Sequence, residues 1–158
     1  MIVPDEPNAP TIQWLGDDYL IADQLRESDL ARIAEAGIQT VINLRPDNEA
    51  DDQPTAEALA GVAHDNGLVY HHIPVGGRRP PEDTIQAFEA VRRRAGGTVL
   101  GFCGSGTRAA VLWAYEMAPL RPVDEVLGAC AACGYEFDRL RTRLVQRQSG
   151  ATVASTDT

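Results

Sequence analysis

TVLGFCGSGTRAAVLWAYEM, residues 98–117, reads as a short apolar strand, a glycine-bearing turn and a helix with almost no polar face. Cys103 stands where the strand ends, Gly104 to Thr107 form the turn, and Arg108 is expected to open the helix. A thiol at that place faces unpaired backbone N–H groups and the positive end of the helix dipole. Such surroundings favour thiolate over thiol, and the guanidinium of Arg108 adds to them. Gly104 and Gly106 allow the backbone amides to turn inward as a cradle for an anion. A buried cysteine beside a surface arginine is the plainer account of such a pair. Two glycines, Ser105, Thr107 and Arg108 gathered into one turn favour instead a nucleophilic thiol beneath an oxyanion pocket, with Arg108 as the clamp.

Outward from this stretch, strands and helices alternate. IQWLGDDYLIA, residues 12–22, predicts a hairpin of Ile12–Leu15 with Tyr19–Ala22 about Gly16-Asp17-Asp18. ESDLARIAEAG puts Leu30, Ile33 and Ala34 on one helical face, with Ser28 at its start and Gly37 as a C-cap. IQTVINL, residues 38–44, is a buried strand that empties into the acidic loop RPDNEADDQP. A helix with Leu59, Val62 and Ala63 inward, a strand over 68–75, and a helix over about 82–95 follow. Beyond the opening stretch, Val123, Val126, Leu127, Cys130 and Cys133 recur at helical spacing, and a last helix covers about 136–147. This pattern predicts a single three-layer α/β domain, with a mainly parallel central sheet of four to five strands and helices on both faces. Residues 1–11, with three prolines, read as an irregular lead-in, and 148–158 as a disordered tail. Ligands of such sheets bind outside the carboxyl ends of the strands. The loops at 45–54 and 76–83 leave their strands on the same rim as the Cys103 turn.

Composition limits the partners. A formal net charge of −9 disfavours nonspecific binding to nucleic acid or anionic membranes, so an anion site has to work locally. No apolar run approaches membrane-spanning length. The N-terminus, MIVPDEPNAP, lacks the basic and apolar regions of a secretory signal. Three cysteines form an odd set, which argues against a disulfide framework and fits a reducing cytoplasm. No metal or organic cofactor is expected. The expected partner is a small anionic substrate or a phosphorylated protein.

The strand, the C-G-S-G-T-R turn and the helix resemble the active-site loop of cysteine-dependent tyrosine and dual-specificity phosphatases, and also that of rhodanese sulfurtransferases. DDYLIADQL, GIQTVINLRPDNEADDQP, HIPV and the turn come in the order and spacing of one family. It is the bacterial phosphatase-like domain also found fused to beta-lactamase-fold hydrolases and persulfide dioxygenases. The resemblance covers about residues 12–145, within a domain read as 12–147, and implies a tyrosine phosphatase-like fold. It implies that Cys103 is the nucleophile, that Gly104, Ser105, Gly106 and Thr107 supply amides to the oxyanion, and that Arg108 binds it bidentately. In a phosphatase the thiolate attacks phosphorus and gives a phosphocysteine. In a sulfurtransferase it carries a persulfide.

Four residues separate Cys103 from Arg108, as in rhodanese-sized loops, where phosphatases have five. Phe102 replaces the usual preceding histidine, and GGRRPPED carries arginines where dual-specificity enzymes place an aspartate general acid. Asp47, Glu49 or Asp51 on the facing loop are the replacements considered, with Asp83 assigned to cap its helix. Family members commonly carry arginine after the cysteine, and Gly104 stands there, so Arg78 and Arg79 are candidates to restore the charge. Three functions follow from these observations: a phosphatase-like hydrolase, a sulfurtransferase acting through a Cys103 persulfide, and a pseudo-enzyme that binds an anion without turnover. Cys130-x-x-Cys133 shares a stripe with apolar residues and is read as core. One of His71 and His72 should face inward, and His64 lies near a helix end. Arg92 to Arg94 complement a helix C-terminus, and Arg45 leaves its strand at the active rim.

Overall fold

Period-two alternation along the strands sends neighbouring residues to opposite faces of one sheet, and this decides the layering. A computed structural model describes residues 9–77 and 79–157, the last eight of these by backbone alone. Its strands are β1 (Ile12–Gly16), β2 (Tyr19–Ala22), β3 (Thr40–Asn43), β4 (Val69–His72) and β5 (Val99–Phe102). They form a five-stranded sheet in the order β1-β2-β5-β3-β4. β1 pairs antiparallel with β2, and every other pairing is parallel. The predicted hairpin and mainly parallel sheet are both present.

The helices are α1 (Glu27–Glu35), α2 (Ala56–Asp65), α3 (Glu82–Arg94), α4 (Thr107–Met117), α5 (Val123–Ala132) and α6 (Arg141–Asp157). Leu20, Ala22, Val41, Leu100 and Phe102 pack against Leu30 and Ile33 of α1 and Leu59 and Ala63 of α2. Tyr19, Ile21, Ile42 and Val99 face the other way, onto Ile85 and Phe88 of α3, Trp113 of α4, Val126 of α5 and Leu144 of α6. The central position of α4 explains its lack of a polar face, since eight of its eleven residues are buried.

Several boundaries differ from the sequence reading. The expected strands 38–44 and 68–75 shorten to β3 and β4, with chain on either side held by single bonds such as Leu44 N to Phe102 O at 2.8 Å. Ser28 does lie in the first turn of α1, while the cap is Arg26: its amide donates to Asp29 Oδ2 at 2.7 Å. Thr107 and not Arg108 opens α4. The last helix is preceded by a 3₁₀ turn at Asp138–Leu140, and its backbone stays helical through Asp157, where a tail was expected from 148. The lead-in reading falls mostly on residues 1–8, outside the described ones.

One close approach sets the height of α4 over the sheet. The phenol of Tyr19 lies across Gly101 and donates from its hydroxyl to Ala109 O at 3.0 Å, so a Cβ at 101 would collide with that hydroxyl. The same ring meets Phe88 edge-on at 5.6 Å and carries the guanidinium of Arg92 at 4.7 Å. Arg92, read as plain helix-terminal charge, is buried and paired with Glu116 and Asp18. Gly101→Ala should therefore destabilise the fold by about 1–3 kcal/mol through overpacking. Combining it with Tyr19→Phe, which removes the colliding oxygen, should recover part of the loss. Urea unfolding of the single and double variants measures both.

Candidate active site

The end of β5 delivers Cys103, and the next four residues climb over it to α4. The amide of Cys103 donates to Ala22 O at 3.3 Å, which ties the loop's first residue to the end of β2. Gly106 has φ +84°, a left-handed conformation that side chains rarely adopt, and a Cβ there would also strike the hydroxyl of Tyr135. Tyr135 fills that space and donates to Ser105 O at 2.9 Å, while the hydroxyls of Ser105 and Thr107 bond each other at 2.9 Å. A cleft of about 530 Å³ opens above, lined by Gly76, Gly77, Ser105, Thr107, Arg108 and Arg139. Cys103 is fully buried beneath this wall and does not reach the cleft surface.

Arg108 divides its guanidinium between two tasks. Nη1 donates to Glu49 Oε2 at 2.9 Å and to Val75 O at 2.8 Å, and Nη2 donates to Glu49 Oε1 at 2.9 Å. These bonds leave Nε–H and the second Nη2–H, the planar edge suited to two oxygens of one anion. The hydrogen bonds to Glu49 chiefly raise the Arg108 pKa, against burial, and the nearby Cys103 sulfur contributes in the same direction. The reciprocal bonds from Arg108, with those from Arg45, hold the Glu49 carboxyl below the usual carboxylate range.

Arg45 supplies a second cation. Its Nε donates to Glu49 Oε1 at 2.9 Å, its Nη1 to Gln24 Oε1 at 2.9 Å, and its guanidinium lies over the loop backbone. A Cβ built on Gly104 would stand 3.3 Å from Arg45 Cζ and Nε, so Gly104 is the residue that admits this approach. The charge expected just after the cysteine thus comes from the exit of β3. Of the two arginines considered for this charge, Arg79 is absent from the cleft lining, and Arg78 lies outside the described residues. His72 fixes the turn, with Nε2 2.8 Å from Arg45 O, so it is the outer histidine and not an inward one that meets the rim. Burial, then Arg94, lowers the pKa of His71.

The candidate acids are mostly engaged elsewhere. Asp47 Oδ1 accepts the amide of Ala56 at 2.8 Å and, with Thr55, caps α2. Glu49 is an ionised clamp, a role that sequence reasoning missed; its only signal was its position four residues after Arg45. Asp51 is exposed on the same loop, and Asp83 sits in the first turn of α3. Tyr135 and Gln24, from distant segments, carried no recognisable signal.

Of the Cys130-x-x-Cys133 pair, Cys130 lies in the core and Cys133 packs half-buried against it. Burial, with Cys133 adding, pushes the Cys130 thiol up to about 12, and Cys133 Sγ donates to Trp14 O at 3.3 Å. No three metal-binding side chains converge among the described residues. Among those residues no helix is long and apolar enough to cross a membrane.

A family model described as "Beta-lactamase hydrolase-like protein, phosphatase-like domain" matches residues 11–119. The chain belongs to this family. It is 37% identical over 137 residues to a beta-lactamase hydrolase-like protein of Xylella fastidiosa, covering 85% of this chain and 32% of that one. The chain thus spans about a third of the length of the curated relatives it matches. A candidate phosphatase of Neisseria meningitidis aligns with a TM-score of 0.75 at 32% identity, covering 85% of this chain and 96% of its own. PTPMT1 shares the fold alone, with a TM-score of 0.71 at 13% identity, over 94% of this chain and all of its own. The phosphatase-like domain therefore has the fold expected from its Cys103 loop.

Two outcomes follow from this geometry. Glu49→Gln, which keeps the shape and loses the charge, should raise the KM for an anionic substrate about tenfold by loosening Arg108. Because Glu49 is depressed, the clamp is complete above the ordinary glutamate pKa and fails as pH falls through its lowered value. The gap in thermal stability between wild type and Glu49→Gln should accordingly close on acidification. Burial raises the Cys133 pKa too, though Cys133 is only half-buried, so in native protein at pH 8 iodoacetamide should label Cys133 well before Cys130, as read by peptide mass spectrometry.

Proposed function

We propose that this domain is a cysteine-dependent phosphatase in which Cys103 is the nucleophile and Arg108, with the amides of residues 104–107, holds the substrate's phosphoryl oxygens. The observation that carries this reading is Arg108 held beside the Cys103 sulfur, with Nη1 and one Nη2 hydrogen fixed by Glu49 and Val75. Family membership and the phosphatase-like description of that family support the same class.

In the proposed reaction the Cys103 thiolate attacks phosphorus. A P–S bond forms as the ester P–O bond breaks, and the electron pair leaves on the alcohol oxygen. Water then attacks the phosphocysteine, which releases inorganic phosphate and restores the thiolate. Cys103 itself is fully buried at the base of loop 104–107. Arg108 and Arg45 meet the charge of the three equatorial oxygens, which the protein's own net charge of −9 would otherwise repel.

With Asp47 capping α2 and Glu49 held ionised, the leaving oxygen takes its proton from water. Turnover should then depend steeply on the leaving group, with para-nitrophenyl phosphate cleaved at least about tenfold faster than an alkyl phosphate. The engagement of Asp47 and Glu49, together with the short loop, favours persulfide transfer as the second reading. Wild type and Cys103→Ser, assayed on para-nitrophenyl phosphate and on thiosulfate with cyanide, separate the two. The phosphatase reading expects Cys103-dependent phosphate release, about a thousandfold lower in the variant. Cys103-dependent thiocyanate formation without phosphate release overturns it. Binding of either anion without turnover would make the domain a receptor.

A further inference from the structure

The active-site cleft does not end at Arg139. A second hollow of about 230 Å³ lies on the other side of that residue, lined by Arg79, Tyr115, Arg139, Leu140, Thr142 and Arg143. Arg139 lines both spaces, so the two are contiguous along one wall. The smaller space is below the ~300 Å³ of a typical small-molecule site and fits one group of a ligand, not a whole one.

Its charge is unbalanced. Arg45, Arg92, Arg108 and Arg147 each have a carboxylate partner, and Glu82 and Glu89, the acids beside this region, are taken by Arg147. Among the described residues Arg79, Arg139 and Arg143 have none. Arg139 donates to Glu136 O at 3.2 Å and lies over the Phe137 ring. Arg143 stacks on Tyr115 at 4.6 Å and donates from Nη2 to Pro80 O at 2.8 Å. Its Nη1 is buried without any hydrogen-bond partner. A buried unpaired donor and three like charges around one hollow are each unfavourable, and a bound anion relieves both. In a chain of net charge −9 such a cluster is not a general basic surface, and three arginines around one small hollow are too few to hold a membrane or a polynucleotide.

We propose that this hollow is a second anion subsite, and that the domain's substrate is a small soluble phosphate ester bearing a further phosphate or carboxylate group. The Cys103 loop takes the scissile phosphate, and Arg79, Arg139 and Arg143 take the other anion. This inference rests on the phosphatase reading for which phosphate is cleaved, but the binding preference can be measured without turnover.

The test is calorimetry on the Cys103→Ser chain with fructose 1,6-bisphosphate and fructose 6-phosphate as probes. The bisphosphate should bind at least about tenfold more tightly, the return of one or two charge-assisted hydrogen bonds. Arg79→Ala, an exposed position safe for the fold, and Arg143→Gln should each reduce that preference to about twofold or less while leaving the monophosphate affinity unchanged. Equal affinity for the two probes overturns the subsite, as does a preference that survives both substitutions. An arginine dependence seen only for esters presented in lipid vesicles overturns it too. A preference that behaves as expected in a protein that hydrolyses neither ester removes the phosphatase reading and keeps the subsite. Hydrolysis of both esters with no preference does the reverse.

Discussion

The two-oxygen ion pair of Glu49 with Arg108 is the constraint on which the site depends. Arg108 belongs to the α4 entrance, Glu49 to the loop after β3, and Val75 to the segment after β4, so one guanidinium joins three rim loops. Surface ion pairs contribute little on their own. This one is planar and bidentate, and both side chains are mostly covered, with 21% and 31% of their surfaces exposed. Its main effect is geometric. It spends one edge of Arg108 inside the protein and thereby aims the other at the loop.

Below that clamp, the packing of Tyr19 against Gly101 brings the chain's most buried helix close to the sheet. A side chain at residue 101 would lift α4, and the Gly106–Tyr135 contact and the start of the loop would move with it. The site's precision therefore rests on two glycines with different duties. Gly101 makes room for a ring in the core, and Gly106 supplies a backbone turn.

Charge is distributed against the protein's overall balance. Arg45 reaches Gly104 from the exit of a neighbouring strand and brings a cation to the loop. The same exchange across the rim engages two acids of the 45–54 loop. Glu49 is needed to hold two arginines, and Asp47 is needed to start α2. The loop that looked like a reservoir of general acids is structural at its centre.

Most of the fold was legible in the chain. Short apolar runs marked the strands, 3.6-residue periodicity marked most helices, and the strand–turn–helix at 98–117 placed Cys103 and Arg108 at a common rim. Both signals are local, because they follow from backbone geometry within a few residues. Strand and helix ends were misplaced where single tertiary bonds, such as Leu44 N to Phe102 O or Arg26 N to Asp29, set the boundary. What the sequence could not assign were partners: Glu49 to Arg108 across 59 positions, Tyr135 to Ser105 across 30, and Arg45 to Gly104. Such pairings depend on which loops the sheet order brings together, and an acid in a loop carries the same sequence signal whether it clamps, caps or donates a proton. The nature of the Cys103 loop was determined by the sequence alone. Which arginine edge it faces was decided only by the tertiary structure, because that edge is defined by what occupies the other one.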